Sequence, residues 1–206
     1  NVAIMLPMIS CLDEVQQVRR IMQELHQELA AQNLPHAPLL PLGVMVETPA
    51  AALICDALAR ECDFFSIGTN DLIHYIMGID RNNRHVAYLN EPLHPAVVRS
   101  LKHIIDAAHR EGIGVSVCGE LASDPFGLAL LLGMGVDTVS AAPRFVPGMK
   151  HLIRQFNAQA CMELANSVLL STDVAASKRM VREALQQSLG QELAFHTTSL
   201  FTYSHP

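Results

Sequence analysis

The sequence contains no stretch of about 18 or more apolar residues, so a membrane-spanning helix is not expected. Its longest apolar run, around Leu128–Met134, has the length of a core helix. It also lacks a basic excess: 14 Lys+Arg face 20 Asp+Glu, a formal charge of −6. The positive stripe of a nucleic-acid binder is therefore missing, and no nucleic-acid partner is expected. No C-x-x-C occurs among Cys11, Cys55, Cys62, Cys118 and Cys161. An odd set cannot pair completely within the chain, and these read as reduced cytosolic thiols, mostly buried as small hydrophobes. The ten histidines form no H-x-x-x-H or H-E-x-x-H pair and read as surface or packing residues. Neither a G-x-S-x-G nor a glycine-rich phosphate loop is present, which leaves a serine hydrolase without support.

What is there is a chain of 206 residues, 50% hydrophobic, enough for a real core in one domain or one large piece of a bigger one. It opens Asn1-Val-Ala-Ile-Met-Leu-Pro-Met-Ile, which reads as a buried strand. A chain opening in a core strand is expected to be the C-terminal part of a longer polypeptide. One grammar then repeats: a short apolar run, a polar tip, a helical pattern. The runs are Val2–Ile9, Gly43–Val46, Phe64–Ile67, Ile113–Val117 and a weaker Val136–Ser140. Thr48 and Pro49 read as N-cap and first-turn proline of an Ala-rich helix reaching about Glu61, and Ser123-Asp124-Pro125 as the start of another. After Pro147 the pattern is helical: Met149–Phe156, Cys161–Leu169 and Ala175–Leu189.

Apolar strands alternating with helices predict a parallel sheet covered on both faces. An open doubly wound sheet and a (β/α)₈ barrel both fit, and five units amount to about five-eighths of a barrel. In either architecture the chemistry sits at the strand C-terminal tips. Glu47 ends the second run, and Asn70 and Asp71 follow the third. Each alone could be a cap or a salt-bridged surface group. Together, carboxylates at the same end of neighbouring parallel strands converge, and one or two such ligands, completed by substrate and water, are how Mg²⁺ is usually held. Cys118 ends the fourth run on the same rim. Its thiol is either a buried strand-end group or a proton donor. Arg81, in Gly78-Ile-Asp-Arg-Asn-Asn, is either solvated or an anion clamp over the rim.

The segments Gly43-Val-Met-Val-Glu-Thr-Pro-Ala-Ala, Phe64-Phe-Ser-Ile-Gly-Thr-Asn-Asp-Leu and Cys118-Gly-Glu-Leu-Ala resemble the phosphoenolpyruvate-binding barrel of the PEP-utilising enzymes. Within that family the chain is most similar to enzyme I of the bacterial phosphoenolpyruvate-dependent sugar phosphotransferase system and its multidomain relatives. Ile79-Asp-Arg-Asn-Asn favours that branch over pyruvate phosphate dikinase and PEP synthase. The resemblance implies a (β/α)₈ TIM-type barrel, present as its C-terminal part with C-terminal helices over residues 1–190, followed by a loosely ordered tail over 191–206. It implies Glu47 and Asp71 as Mg²⁺ ligands, Asn70 and Arg81 as PEP-binding residues, and Cys118 as the proton donor that turns enolpyruvate into pyruvate. The implied reaction moves the phosphoryl group of PEP to a histidine on a separate N-terminal domain, then to a small phosphocarrier protein and a sugar. A cytoplasmic homodimer, joined through the barrel domain, is implied as well.

Three departures from the family pattern accompany the match. The phosphohistidine domain and the first three barrel strands, with their PEP-binding arginines, are not in the sequence. The last strand reads Thr138-Val-Ser-Ala-Ala-Pro where enzyme I usually has Ser-Met-Ser. Two other readings follow from the residues: a Mg²⁺-dependent lyase or aldolase with a pyruvate enolate, which has no need of Cys118 or of Asn70 beside Asp71, and a non-catalytic remnant that binds a partner. The present chain, taken alone, is expected to be inactive.

Overall fold

The five apolar runs become five parallel strands that lie side by side in chain order. In the computed structural model, which describes residues 2–80 and 83–190, these are β1 (Ile4–Leu6), β2 (Leu42–Val46), β3 (Phe64–Gly68), β4 (Gly114–Cys118) and β5 (Thr138–Val139). Helices α1 (Leu12–Ala31), α2 (Pro49–Leu53), α3 (Cys55–Ala59), α4 (Thr69–Met77), α5 (Pro95–Arg110), α6 (Glu120–Ser123) and α7 (Pro125–Met134) connect them, and α8 (Val146–Gln155), α9 (Ala158–Leu170) and α10 (Val174–Leu189) close the described chain. No described helix is long and apolar enough to cross a membrane.

Local chemistry explains the boundaries. Thr48 Oγ1 accepts the Ala51 N–H at 3.1 Å, and Pro49 occupies the first turn, where its missing N–H costs nothing. Asp124 accepts from the Phe126 and Gly127 N–H groups at 2.8 and 3.2 Å and caps α7. α1 starts with a side chain that was not singled out from the sequence: Glu14 Oε2 accepts from the Ser10 and Cys11 N–H groups. These bonds hold its carboxyl below the ordinary value, the Ser10 N–H having the larger effect. The Ala-rich segment after Pro49 is two short helices, because Ile54 leaves helical geometry (φ −108°, ψ 18°).

The sheet has two unlike faces. Val44, Val46, Phe65, Ile67, Val115 and Val117 are buried against the helical layer, where α5 packs on β3 and β4. The opposite face carries Met5, Met45, Ser66, Ser116 and Thr138 and is only partly covered, with Met5 and Thr138 exposed. The expectation of a sheet covered on both faces is therefore corrected. So is the expectation of a buried first strand: β1 has three residues, pairs with β2 alone, and leaves Met5 41% exposed. Burial of a strand depends on what covers it, which its own apolar residues do not specify. The apolar run Leu128–Leu131 is buried on all sides, as its length predicts. There α7 lies so close to α9 that a Cβ on Gly133 would sit 2.0 Å from the Cys161 carbonyl oxygen. Lys178 of α10 pairs with Glu91, tying the last helix to the connection before α5.

Candidate active site

Strand register brings the polar tips together. Gly68, the last residue of β3, pairs with Cys118, the last residue of β4, while Val46 pairs with Ile67 and carries Glu47 past the end of β2. Glu47 is buried, and its Oε1 accepts the Met8 N–H at 2.9 Å. Met8 adopts φ +54°, a left-handed conformation unfavourable for a residue with a Cβ. The neighbouring Thr48 Oγ1 donates to the Ile9 carbonyl at 2.7 Å, so the β1–α1 loop is fastened to the β2–α2 turn twice. The other carboxylate oxygen lies over Gly68, where a Cβ would stand 2.7 Å from Oε2. Glycine is required there for close approach, not for backbone freedom.

Asn70 and Asp71 occupy the first turn of α4, where a carboxylate meets the positive end of the helix. Asn70 Oδ1 accepts the Glu120 N–H at 3.1 Å, and Thr69 Oγ1 donates to the Cys118 carbonyl at 2.7 Å. These two bonds lock the β3–α4 turn onto the β4–α6 turn. Gly119, at φ +104°, makes the corner between them; a Cβ there would meet Thr69 Oγ1 at 2.3 Å. Cys118 Sγ donates to the Ile67 carbonyl at 3.5 Å, and the Ser66 hydroxyl donates to Sγ at 3.9 Å. Burial pushes the thiol above its ordinary value. The Ser66 hydrogen bond opposes that shift, while the Glu47 and Asp71 charges add to it. Both carboxylates thus act electrostatically on the same sulfur.

Glu47, Asn70, Asp71 and Cys118 therefore share one end of the sheet, as the strand-tip pattern predicts. Arg81 lies outside the described residues, as does the tail assigned to 191–206. Among the described residues no group of three or more His, Cys, Asp or Glu is arranged to hold a metal by itself. Two hard carboxylate donors on one rim still fit Mg²⁺, which keeps waters and takes substrate oxygens in preference to an all-protein cage. Ser66 and Met8 are not candidates on sequence grounds, whereas Gly68 reads from the sequence as a tight-connection glycine at a strand end. Ser66 carries a signal, a lone hydroxyl in Phe64-Phe-Ser-Ile; Met8 carries none.

A parallel α/β sheet with carboxylates, an amide and a thiol at its C-terminal rim defines an enzyme-like site of the strand-tip type. Residues 1–158 match the model of a PEP-utilising enzyme, PEP-binding domain, and the chain belongs to that family. It is 44% identical over 169 residues to the phosphoenolpyruvate-protein phosphotransferase of Bacillus sp. (strain S), covering 82% of this chain and 29% of that protein. It is 40% identical over 188 residues to that of Haemophilus influenzae, covering 91% and 33%. The multiphosphoryl transfer protein of Xanthomonas campestris pv. campestris is 44% identical over 169 residues, 82% of this chain and 20% of that protein. The chain thus spans about a third or less of these relatives. A citrate lyase structure from Burkholderia xenovorans LB400 shares the fold, with a TM-score of 0.57 at 17% identity, over 92% of this chain and 64% of that one.

Proposed function

We propose that the chain is the C-terminal, PEP-binding part of a cytoplasmic phosphoenolpyruvate–protein phosphotransferase, built as five strand–helix units of a (β/α)₈ barrel. Consecutive parallel order without a reversal supports the barrel over a doubly wound sheet, whose strand order turns back at a switch point. The half-covered second face, lined by Met45, Ser66 and Ser116, is the side that further strands would enclose. The observation that carries the function is the strand register that sets Glu47, Asp71 and Cys118 at the same end of the neighbouring strands β2, β3 and β4.

In this reading Glu47 and Asp71 hold Mg²⁺, which when bound supplies charge neutralisation at the phosphate oxygens of PEP. The Asn70 amide and Arg81 bind the phosphate, whose equatorial oxygens carry the charge of the transition state. The bond from phosphorus to the enol oxygen breaks as a bond to the imidazole nitrogen of a histidine on another domain forms. Cys118 Sγ–H then delivers its proton to the methylene carbon of the enolate, and pyruvate leaves. A thiol held above its ordinary value stays protonated at neutral pH, as a donor must. The phosphohistidine domain passes the phosphoryl group to a small phosphocarrier protein, and a homodimer forms through the barrel domain.

The test uses the full-length protein with PEP, Mg²⁺ and the phosphocarrier. Glu47→Ala and Asp71→Ala are each expected to lower phosphohistidine formation by at least about a hundredfold, the scale of removing an electrostatic stabiliser of the transition state. Unchanged phosphorylation in both variants would overturn the metal assignment.

A further inference from the structure

The sheet face that carries the proposed site holds two buried or half-buried serines with different partners. Ser66 on β3 and Ser116 on β4 are direct register neighbours. Ser116 Oγ donates to the Phe65 carbonyl at 3.3 Å, a backbone bond that needs no further explanation. Ser66 is only 6% exposed, and its hydroxyl is directed at Cys118 Sγ, 3.9 Å away. A buried hydroxyl is costly without a partner, and a neutral thiol sulfur at that distance is a weak one. The arrangement is a poor hydrogen bond for the resting thiol.

It becomes a good one if the sulfur acquires charge. As the S–H bond breaks and the proton moves to carbon, the electron pair stays on Sγ. Bonds to an ionised acceptor are shorter and about twice as strong as neutral ones. The Ile67 carbonyl, which accepts from the thiol, is an acceptor only and cannot stabilise the thiolate. Among the described residues, Ser66 supplies the side-chain hydroxyl donor at the sulfur. An interaction weak in the ground state and strong in the transition state is the kind that raises kcat without changing KM.

We infer that Ser66 is a positioning residue for the proton-transfer step: its hydroxyl orients the Cys118 thiol and donates to the sulfur as the proton leaves. The step balances without a further reactant. C3 of the enolate gains the proton, Sγ becomes a thiolate held by Ser66 O–H, and solvent returns the proton after pyruvate departs. This rests on Cys118 being the donor, and the experiment separates the two claims.

In the full-length protein, phosphohistidine formation and pyruvate formation are timed in the same single turnover by rapid quench. Ser66→Ala is expected to leave phosphorylation and the PEP KM near wild type while slowing pyruvate formation about ten- to a hundredfold, the worth of one hydrogen bond to a charged group. Ser66→Thr, which keeps the hydroxyl, is expected to restore most of the rate. Ser116→Ala, the matched serine bonded to backbone, is expected to leave the split between the two steps unchanged. A purely structural role for Ser66 would lower both steps together, and that result overturns the inference. If Cys118→Ala slows pyruvate formation and Ser66→Ala does not, the Ser66 role fails while the donor stands. If Cys118→Ala changes nothing, the donor assignment fails and the Ser66 inference falls with it.

Discussion

Five cysteines of one chain differ in what their surroundings allow them to do. Cys11 is exposed before α1. Cys55 and Cys62 are buried, and desolvation pushes them to about 11 and about 12. Cys161 is buried and pushed up in the same way. Cys118 is half-buried, and burial together with the Glu47 and Asp71 charges holds its thiol form. Alkylation consumes the thiolate, so rate follows thiolate fraction and access. At pH 7.5, timed alkylation read by mass spectrometry is expected to modify Cys11 first, Cys118 at least about tenfold more slowly, and Cys55 and Cys62 only on unfolding. Raising the pH is expected to speed Cys118, whose thiolate fraction rises and whose thiol is partly accessible, while buried Cys62 stays unlabelled until the protein unfolds. Labelling of Cys118 as fast as Cys11 would contradict the burial and charge on which the proposed donor role rests.

At the scale of elements, the clearest signals were caps and corners. Asp124 is 2% exposed and holds two N–H groups of α7, and the first turn of that helix admits only glycine at 127, since a Cβ on Gly127 would lie 2.2 Å from the Leu121 carbonyl oxygen. Asp124→Ala is expected to lower stability by about 1–2 kcal/mol, with Asp124→Asn losing less. Urea titration of the full-length protein reads this, and equal losses in both variants would mean that capping is not what Asp124 contributes. Thr48, Pro49 and Asp124 were legible in the sequence because capping is a local interaction spanning three residues. Glu47, Asn70, Asp71 and Cys118 were legible as candidates because parallel strands gather their C-terminal tips. The left-handed Met8 was not, because its conformation is fixed by Glu47, 39 residues away. Nor was the partner of Ser66, which depends on the β3–β4 register and a residue 52 positions on. The break at Ile54 and the exposure of β1 belong to the same class: tertiary context decides them, and periodicity does not report it.

Taken whole, the sheet has two open ends among the described residues. β1 pairs only with β2 and β5 only with β4, so each presents an unmatched ladder of backbone groups. Unmatched edges are templates for pairing with another chain, and a closed barrel has none. The β1 side is apolar as well: Val2, Met5 and Met8 are exposed, and Ile21, Leu25 and Leu29 repeat every fourth residue along the uncovered side of α1. That combination of edge and stripe is what a preceding strand–helix unit would cover. Residues 1–206 expressed alone are therefore expected to self-associate and to show no PEP turnover, whereas a form extended upstream by further strand–helix units is expected to be monodisperse. Size-exclusion chromatography of the two forms side by side, with pyruvate release measured alongside a phosphocarrier, decides it. A monodisperse and active 206-residue chain would mean that the edges are covered in solution by this chain itself. The barrel would then have to give way to an open sheet as the complete fold.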